Sequence, residues 1–220
     1  MKNKKAFTLV ELLIVVAIIG VLAGLLFPAI SKVMSVGPQM KSSNNGKQIA
    51  QSWLTSETYI NKNTPHEWAA RLAEKGGLNI PEMWILDNDT RVQEKIAQDE
   101  VAMPLFIVEQ DEISGETSLS SEFESFPLSW SIANGTKQGG DSTPLIWSRG
   151  LQPEGTWSVD DGVFEDAGGH IAFTDGSIKF YTSLKDENTD EGILKKYKKS
   201  QRTFNISETI KGGTGSILNP

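Results

Sequence analysis

Residues Leu12 to Ile30 read LLIVVAIIGVLAGLLFPAI, nineteen positions without a charge or a hydrogen-bonding side chain. At 1.5 Å per residue the run makes a helix of about 28 Å, close to the roughly 30 Å hydrocarbon core of a bilayer. A helix buried in a soluble core seldom stays apolar on every face for so long. The run therefore reads as a membrane span. Lys2, Lys4 and Lys5 precede it, which keeps the N-terminus cytoplasmic and places everything after about Ser31 outside. The rival reading is a secretory signal peptide, with Ala29-Ile30-Ser31 as its small-residue cleavage site. Glu11 at the head of the run, and the lack of a polar stretch before that site, count against it.

Averages over the whole chain hide this segment. The 220 residues are 38% hydrophobic and 22% charged, with a formal net charge of −7. That length suits one or two domains and a sizeable core, and the composition excludes wholesale disorder and a multi-spanning membrane protein. There is no cysteine, hence no disulfide framework, thiolate metal site or thiol nucleophile. An acidic balance also argues against nucleic-acid binding, which neutralises phosphates with Lys and Arg. No G-x-S-x-G, P-loop or G-x-G-x-x-G after a strand is present, and His66 and His170 stand in unrelated contexts. Neither an enzyme nor a cofactor is expected.

Glu11 is the anomaly. An acid inside a membrane span costs on the order of 2.5–3.5 kcal/mol, a cost relieved if it meets a cation. The residues around it, Ala6-Phe7-Thr8-Leu9-Val10-Glu11, resemble the processing site of type IV pilins and type II secretion pseudopilins. The resemblance implies that prepilin peptidase removes residues 1–6 by cutting between Ala6 and Phe7, and that Phe7 is then N-methylated. It also implies an assembly role for Glu11 and for Pro28, which falls where the family often carries a helix-kinking proline. Ala6 departs from the usual glycine.

The chemistry of such a site follows from its charges. Cleavage leaves an ammonium on Phe7, one helical turn from Glu11. In a staggered stack the Glu11 carboxylate of one subunit meets the Phe7 ammonium of the next. Such a pair selects its register strongly, because either charge alone is costly away from water. A head-to-tail contact of that kind generates a filament when it does not close into a ring. Gly20 and Gly24 add a G-x-x-x-G spacing that permits close helix approach.

Residues 31–62 read as an amphipathic continuation of the helix, with Ile49, Trp53 and Ile60 on one side. Gly37-Pro38 and Asn44-Asn45-Gly46 are expected to kink or interrupt it, and it should end near Tyr59. Residues 63–220 form the exported head. A short helix starts at Thr64-Pro65-His66-Glu67, buries Trp68 and Leu72, and stops at Gly76-Gly77. His66 reads as an exposed residue of its first turn.

The segment 96–136 holds eight acidic residues and no Lys or Arg. Within it PLFIVE reads as a strand and EQDEISGETSLSSEFES as an exposed acidic loop. Lys195, Lys196, Lys198, Lys199 and Arg202 cluster much later. The two charged regions are either solvated faces or complementary surfaces on neighbouring subunits.

GGHIAFTDGSIKFY, Gly168 to Tyr181, predicts a hairpin with a two-residue type I′ turn at Asp175-Gly176. That turn pairs Phe173 with Ile178, Ala172 with Lys179 and Ile171 with Phe180, which puts the large apolar pairs on one face. PLSWSIAN and TPLIWS are expected as further strands of the same antiparallel sheet. Gly168, Gly169, Asp175 and Gly176 also resemble the C-terminal signature of the H-X9-DG prepilin group, although Glu165 stands at the histidine position.

Asp186 and Asp190 are weak candidates for a calcium loop, since Gly192 comes one place late and Tyr197 replaces the closing glutamate. Trp130, Trp147 and Trp157 suit a buried core better than a sugar-stacking platform.

The expectation is an α+β protein with a long N-terminal helix packed on a small antiparallel sheet. Its expected role is a structural filament subunit. The implied partners are prepilin peptidase, other pilin or pseudopilin subunits, inner-membrane assembly machinery and lipid. The rival is a membrane-anchored, exported binding module, with glycans as one ligand class, that does not polymerise.

Overall fold

The computed structural model describes residues 9–56, 59–137, 143–189 and 191–220. It divides into two compact units, Met1–Lys41 and Ser42–Pro220. Helix α1 (Leu9–Thr55) is followed by α2 (Pro65–Gly76), α3 (Thr90–Asp99), β1 (Val108–Gln110), β2 (Thr117–Leu119) and α4 (Ser121–Glu124). Then come β3 (Trp130–Ala133), β4 (Pro144–Ser148), β5 (Val163–Asp166), β6 (Gly169–Phe173) and β7 (Ile178–Tyr181). The last strands are β8 (Leu194–Lys195), β9 (Arg202–Thr203) and β10 (Ile217–Leu218). The fold is α+β and pilin-like, as the sequence leads one to expect.

Helix α1 is unbroken through Pro28, Pro38 and Gly46, contrary to the expected interruption, and it stops at Thr55 rather than near Tyr59. The Asn44-Asn45-Gly46 stretch serves packing instead. A Cβ on Gly46 would lie 2.5 Å from Ile178 Cδ1 and 2.9 Å from Trp130 Cη2, so only glycine lets the helix approach the sheet here. Asn45 is buried and donates its amide to the Glu82 carbonyl at 2.6 Å. Ser52 donates its hydroxyl to the Gly76 carbonyl at 3.1 Å, joining α1 to α2.

Helix α2 forms as its sequence dictates. Thr64 Oγ1 accepts from the Glu67 amide at 3.1 Å, Pro65 occupies the first turn, and Gly77 ends the helix at φ +71°. The reciprocal carboxylate contact reaches one residue further back, to the Asn63 amide at 3.0 Å. Trp68 and Leu72 are fully buried.

The main sheet has the order β10-β3-β4-β6-β7 and is antiparallel throughout. It is buried on both faces. Trp130, Ile132, Ile146 and Ala172 pack in one cluster with Ile49, Trp53, Trp68 and Leu72 from the helices. Trp147 and Ile171 face a second cluster that holds Trp157, Leu184, Ile206 and Ile210.

This two-sided burial explains a correction to the β6–β7 register. The observed pairs are Ala172 with Ile178, Ile171 with Lys179 and His170 with Phe180, one residue away from the expected set. The loop has three residues, Thr174, Asp175 and Gly176, with Phe173 donating to the Ser177 carbonyl at 2.8 Å. Gly176 alone takes a positive φ, +81°, whereas a type I′ turn needs two such residues in succession. The result is a turn closed by a left-handed glycine, with Asp175 Oδ1 accepting from the Ser177 amide at 2.8 Å. Ile171 and Ile178 consequently fall on opposite faces. One apolar face does not set the register here, because each face has its own core.

The acidic segment is also more ordered than a loop. β1 and β2 pair as a hairpin, Val108 with Leu119 and Gln110 with Thr117, and α4 follows directly. Of PLFIVE, only Val108 and Glu109 enter a strand.

Candidate functional site

The membrane-compatible part of α1 is the first candidate. Leu9–Leu26 has a mean hydropathy of 2.9, and none of it is buried within the chain. Its Leu, Ile and Val side chains are between 45% and 79% exposed. Glu11 lies in the first turn, where an acidic side chain faces the positive end of the helix dipole. A Cβ added to Gly20 or Gly24 would meet nothing within 4 Å. Among the described residues these glycines pack against nothing, and they leave a shallow groove on the helix. Pro28 sits within the continuous helix. Ala6 and Phe7, the expected cleavage and methylation residues, lie outside the described residues.

In the head, the four motif residues have structural roles. Gly168 adopts φ +125°, and a Cβ there would strike the Tyr181 carbonyl. A Cβ on Gly169 would enter the Trp157 indole, reaching Cζ2 at 2.9 Å. Asp175 and Gly176 build the turn already described. Glu165, at the position of the group's histidine, is exposed and takes φ +52°.

His170 carries a signal the sequence did not announce. It is 4% exposed and packs edge-on against Phe180 and Phe164, with ring centroids 4.9 and 5.8 Å away. Its Nδ1 has no hydrogen-bond partner among the described residues. Burial pushes its pKa down to about 4. His66 is half-buried rather than exposed, with Nε2 2.8 Å from the Phe126 carbonyl and its pKa also lowered by burial.

A buried charge network joins α3 to the sheet. Arg149 Nη2 donates to Asp89 Oδ1 at 2.7 Å, with Arg149 4% exposed and Asp89 fully buried. The remaining Arg149 donors reach the Leu128 carbonyl at 3.2 Å and the Asp161 carbonyl at 3.1 Å. Asp89 also caps α3 through the Arg91 amide at 3.0 Å and accepts the Ser129 hydroxyl at 2.7 Å. Such saturation makes the network a positioning device for this corner of the head. Asn88-Asp89-Thr90 has the residue types of a helix cap, but no local pattern marks Arg149 as its partner.

Asp186 Oδ1 accepts from the amides of Asn188 and Thr189 at 2.9 and 3.1 Å, and these bonds hold its pKa below the usual carboxylate range. Asp190 lies outside the described residues. No group of three or more His, Cys, Asp or Glu among the described residues is arranged to hold a metal ion. Trp130, Trp147 and Trp157 are at most 3% exposed, and no indole face is open for a sugar ring to stack on.

Residues 1–27 match the family described as the prokaryotic N-terminal methylation motif. The match includes Ala6, Phe7 and Glu11 and stops one residue short of Pro28. No curated protein and no solved structure matches this chain. The N-terminus is thus of the prepilin type, on an α+β fold that has, among the described residues, one helix apolar enough to cross a membrane.

Proposed function

We propose that this chain, starting from its prepilin-type N-terminus, is a non-enzymatic structural subunit of a type IV pilus-like or type II secretion filament. Prepilin peptidase removes residues 1–6, Phe7 is methylated, and the subunit waits in the inner membrane with its head outside. Assembly machinery then transfers it to a filament whose core is made of neighbouring α1 helices. The observation that carries this reading is the wholly exposed apolar stretch Leu9–Leu26 with a single acid, Glu11, in its first turn.

The exposed stretch is stable only if lipid or other helices cover it. Glu11 supplies the specific element, because a carboxylate in that setting binds best where a neighbour offers an ammonium. Mass spectrometry of the mature chain tests the processing step: a methylated Phe7 is expected, and an N-terminus at Lys32 overturns it. Glu11→Gln tests the assembly step. Incorporation into filaments should fall by about tenfold or more, and normal incorporation would sink the filament reading in favour of an anchored binding module.

A further inference from the structure

Beside α2 the β1–β2 hairpin walls a cleft of about 740 Å³, bounded by Ala73, Glu74 and Gly77 on one side and Val108 and Thr117 on the other. Leu105 and Phe106 on the cleft wall are 75% and 51% exposed, and Ile113 at the hairpin tip is 97% exposed. Rigid backbone holds these side chains in water. Asn79 Oδ1 accepts from the amides of Ile107 and Val108 at 2.7 and 2.9 Å, and its Nδ2 donates to the Val108 carbonyl at 2.9 Å. Asp111 Oδ1 fixes the turn, accepting from Ile113 and Ser114 amides at 2.9 and 2.6 Å. An apolar patch on a preformed cleft marks a contact surface where scattered exposed leucines do not. Glu109 and Glu122 line it, Glu112 and Glu116 are exposed on the hairpin that walls it, and none of the four forms an ion pair among the described residues.

The β8–β9 hairpin has the opposite character. It is closed by Leu194 pairing with Thr203 and by the Lys196 amide donating to the Gln201 carbonyl at 2.9 Å. Lys198 turns the tip at φ +53°, with its Nζ 5.6 Å from the centre of the Tyr197 ring. Lys196 pairs with Glu208 at 3.0 Å, and Arg202 donates to the Ile193 carbonyl at 3.2 Å. Lys195, Lys198 and Lys199 are exposed. One end of the head thus presents a cationic finger with an aromatic residue, and another presents an anionic cleft with an apolar rim.

We infer that the β8–β9 hairpin of one copy docks into the α2/β1–β2 cleft of a second copy of this chain. The contact is heterologous, joining different surfaces of identical subunits, and so propagates along an open assembly. Opposed charges steer the encounter and fix its register, while Leu105, Phe106 and Tyr197 supply area that loses water. The inference rests on the filament reading for one element only, the shared anchoring that raises the local concentration of copies.

The absence of cysteine permits a clean test in the full chain in its native membrane. Thr117→Cys and Ser200→Cys together should yield a disulfide-linked dimer and higher ladder, while Ser200→Cys with Glu94→Cys on α3 should not. Adding Lys198→Glu and Lys199→Glu should cut the crosslink by about tenfold. Combining them with Glu116→Lys and Glu122→Lys should restore it. All these positions are exposed, so folding is preserved. A crosslink no stronger than the control pair, or one indifferent to charge reversal, overturns the docking. The two readings fail separately. An unprocessed N-terminus with a charge-sensitive crosslink removes the filament reading alone; methylated, incorporated chains without the crosslink remove the docking alone.

Discussion

Helix α1 obeys opposite rules along its length. From Leu9 to Leu26 every large apolar side chain is open, the least of them 45% exposed. From Ser42 onward Ile49, Ala50 and Trp53 are at most 1% exposed, and even Ser42 and Asn45 are buried. The backbone is the same helix in both places. What differs is the covering surface: the head supplies it for the second stretch, and nothing among the described residues covers the first. Burying a Leu or Ile contributes about 1.5–3 kcal/mol, so covering the first stretch is worth on the order of 10 kcal/mol or more, comparable with the stability of a whole domain.

Truncating a large side chain in each stretch should separate the two most sharply. Trp53→Ala should destabilise the head by about 3–5 kcal/mol, read as a lower midpoint in urea unfolding followed by tryptophan fluorescence. Val16→Ala should leave that midpoint unchanged. Equal losses from both substitutions would mean that the first stretch also packs inside the chain.

Acid should divide the regions next. His170 has a folded pKa of about 4 against an ordinary value of 6.5, so the unfolded chain binds more protons between those values. Head stability is therefore full above about pH 6.5 and falls as the pH drops toward 4, by about 3 kcal/mol. His66, also lowered by burial, acts in the same direction. In His170→Leu most of that slope should vanish, and the helical circular dichroism of the membrane-held stretch should not follow it.

The glycines give the smallest contrast. Gly46→Ala forces a methyl into Ile178 and Trp130 and should cost about 1–3 kcal/mol of head stability. Gly24→Ala meets nothing in the chain and should leave unfolding unchanged. Any loss it produces in filament incorporation would locate the missing neighbour against that face.

Patterns that refer only to their own segment were legible in the sequence. The apolar run, the Thr64 cap, the Gly77 stop and the strand content of PLSWSIAN and TPLIWS need no distant partner to be read. The prepilin-type N-terminus was legible for the same reason, since the motif matched over residues 1–27 is read within its own segment. Features set by what packs from elsewhere were hidden. Asn44-Asn45-Gly46 looks like a break until Trp130 and Ile178 come against it. The β6–β7 register looked decided by one apolar face until a second core claimed Ile171. Arg149 lies 60 residues from Asp89, and only the fold brings them together.

The two-residue strand β10 lies along the outer side of β3, with Ile217 opposite Ala133 and Leu218 opposite Ile132. During synthesis β3 emerges long before its cover does, and through that interval it presents an open row of amides and carbonyls flanked by Trp130 and Ile132. An uncovered strand of this kind is a template for misassociation with other chains. The last-made strand of the sheet thus acts as a seal, and a head that loses residues 217–218 is expected to precipitate before it is expected to unfold.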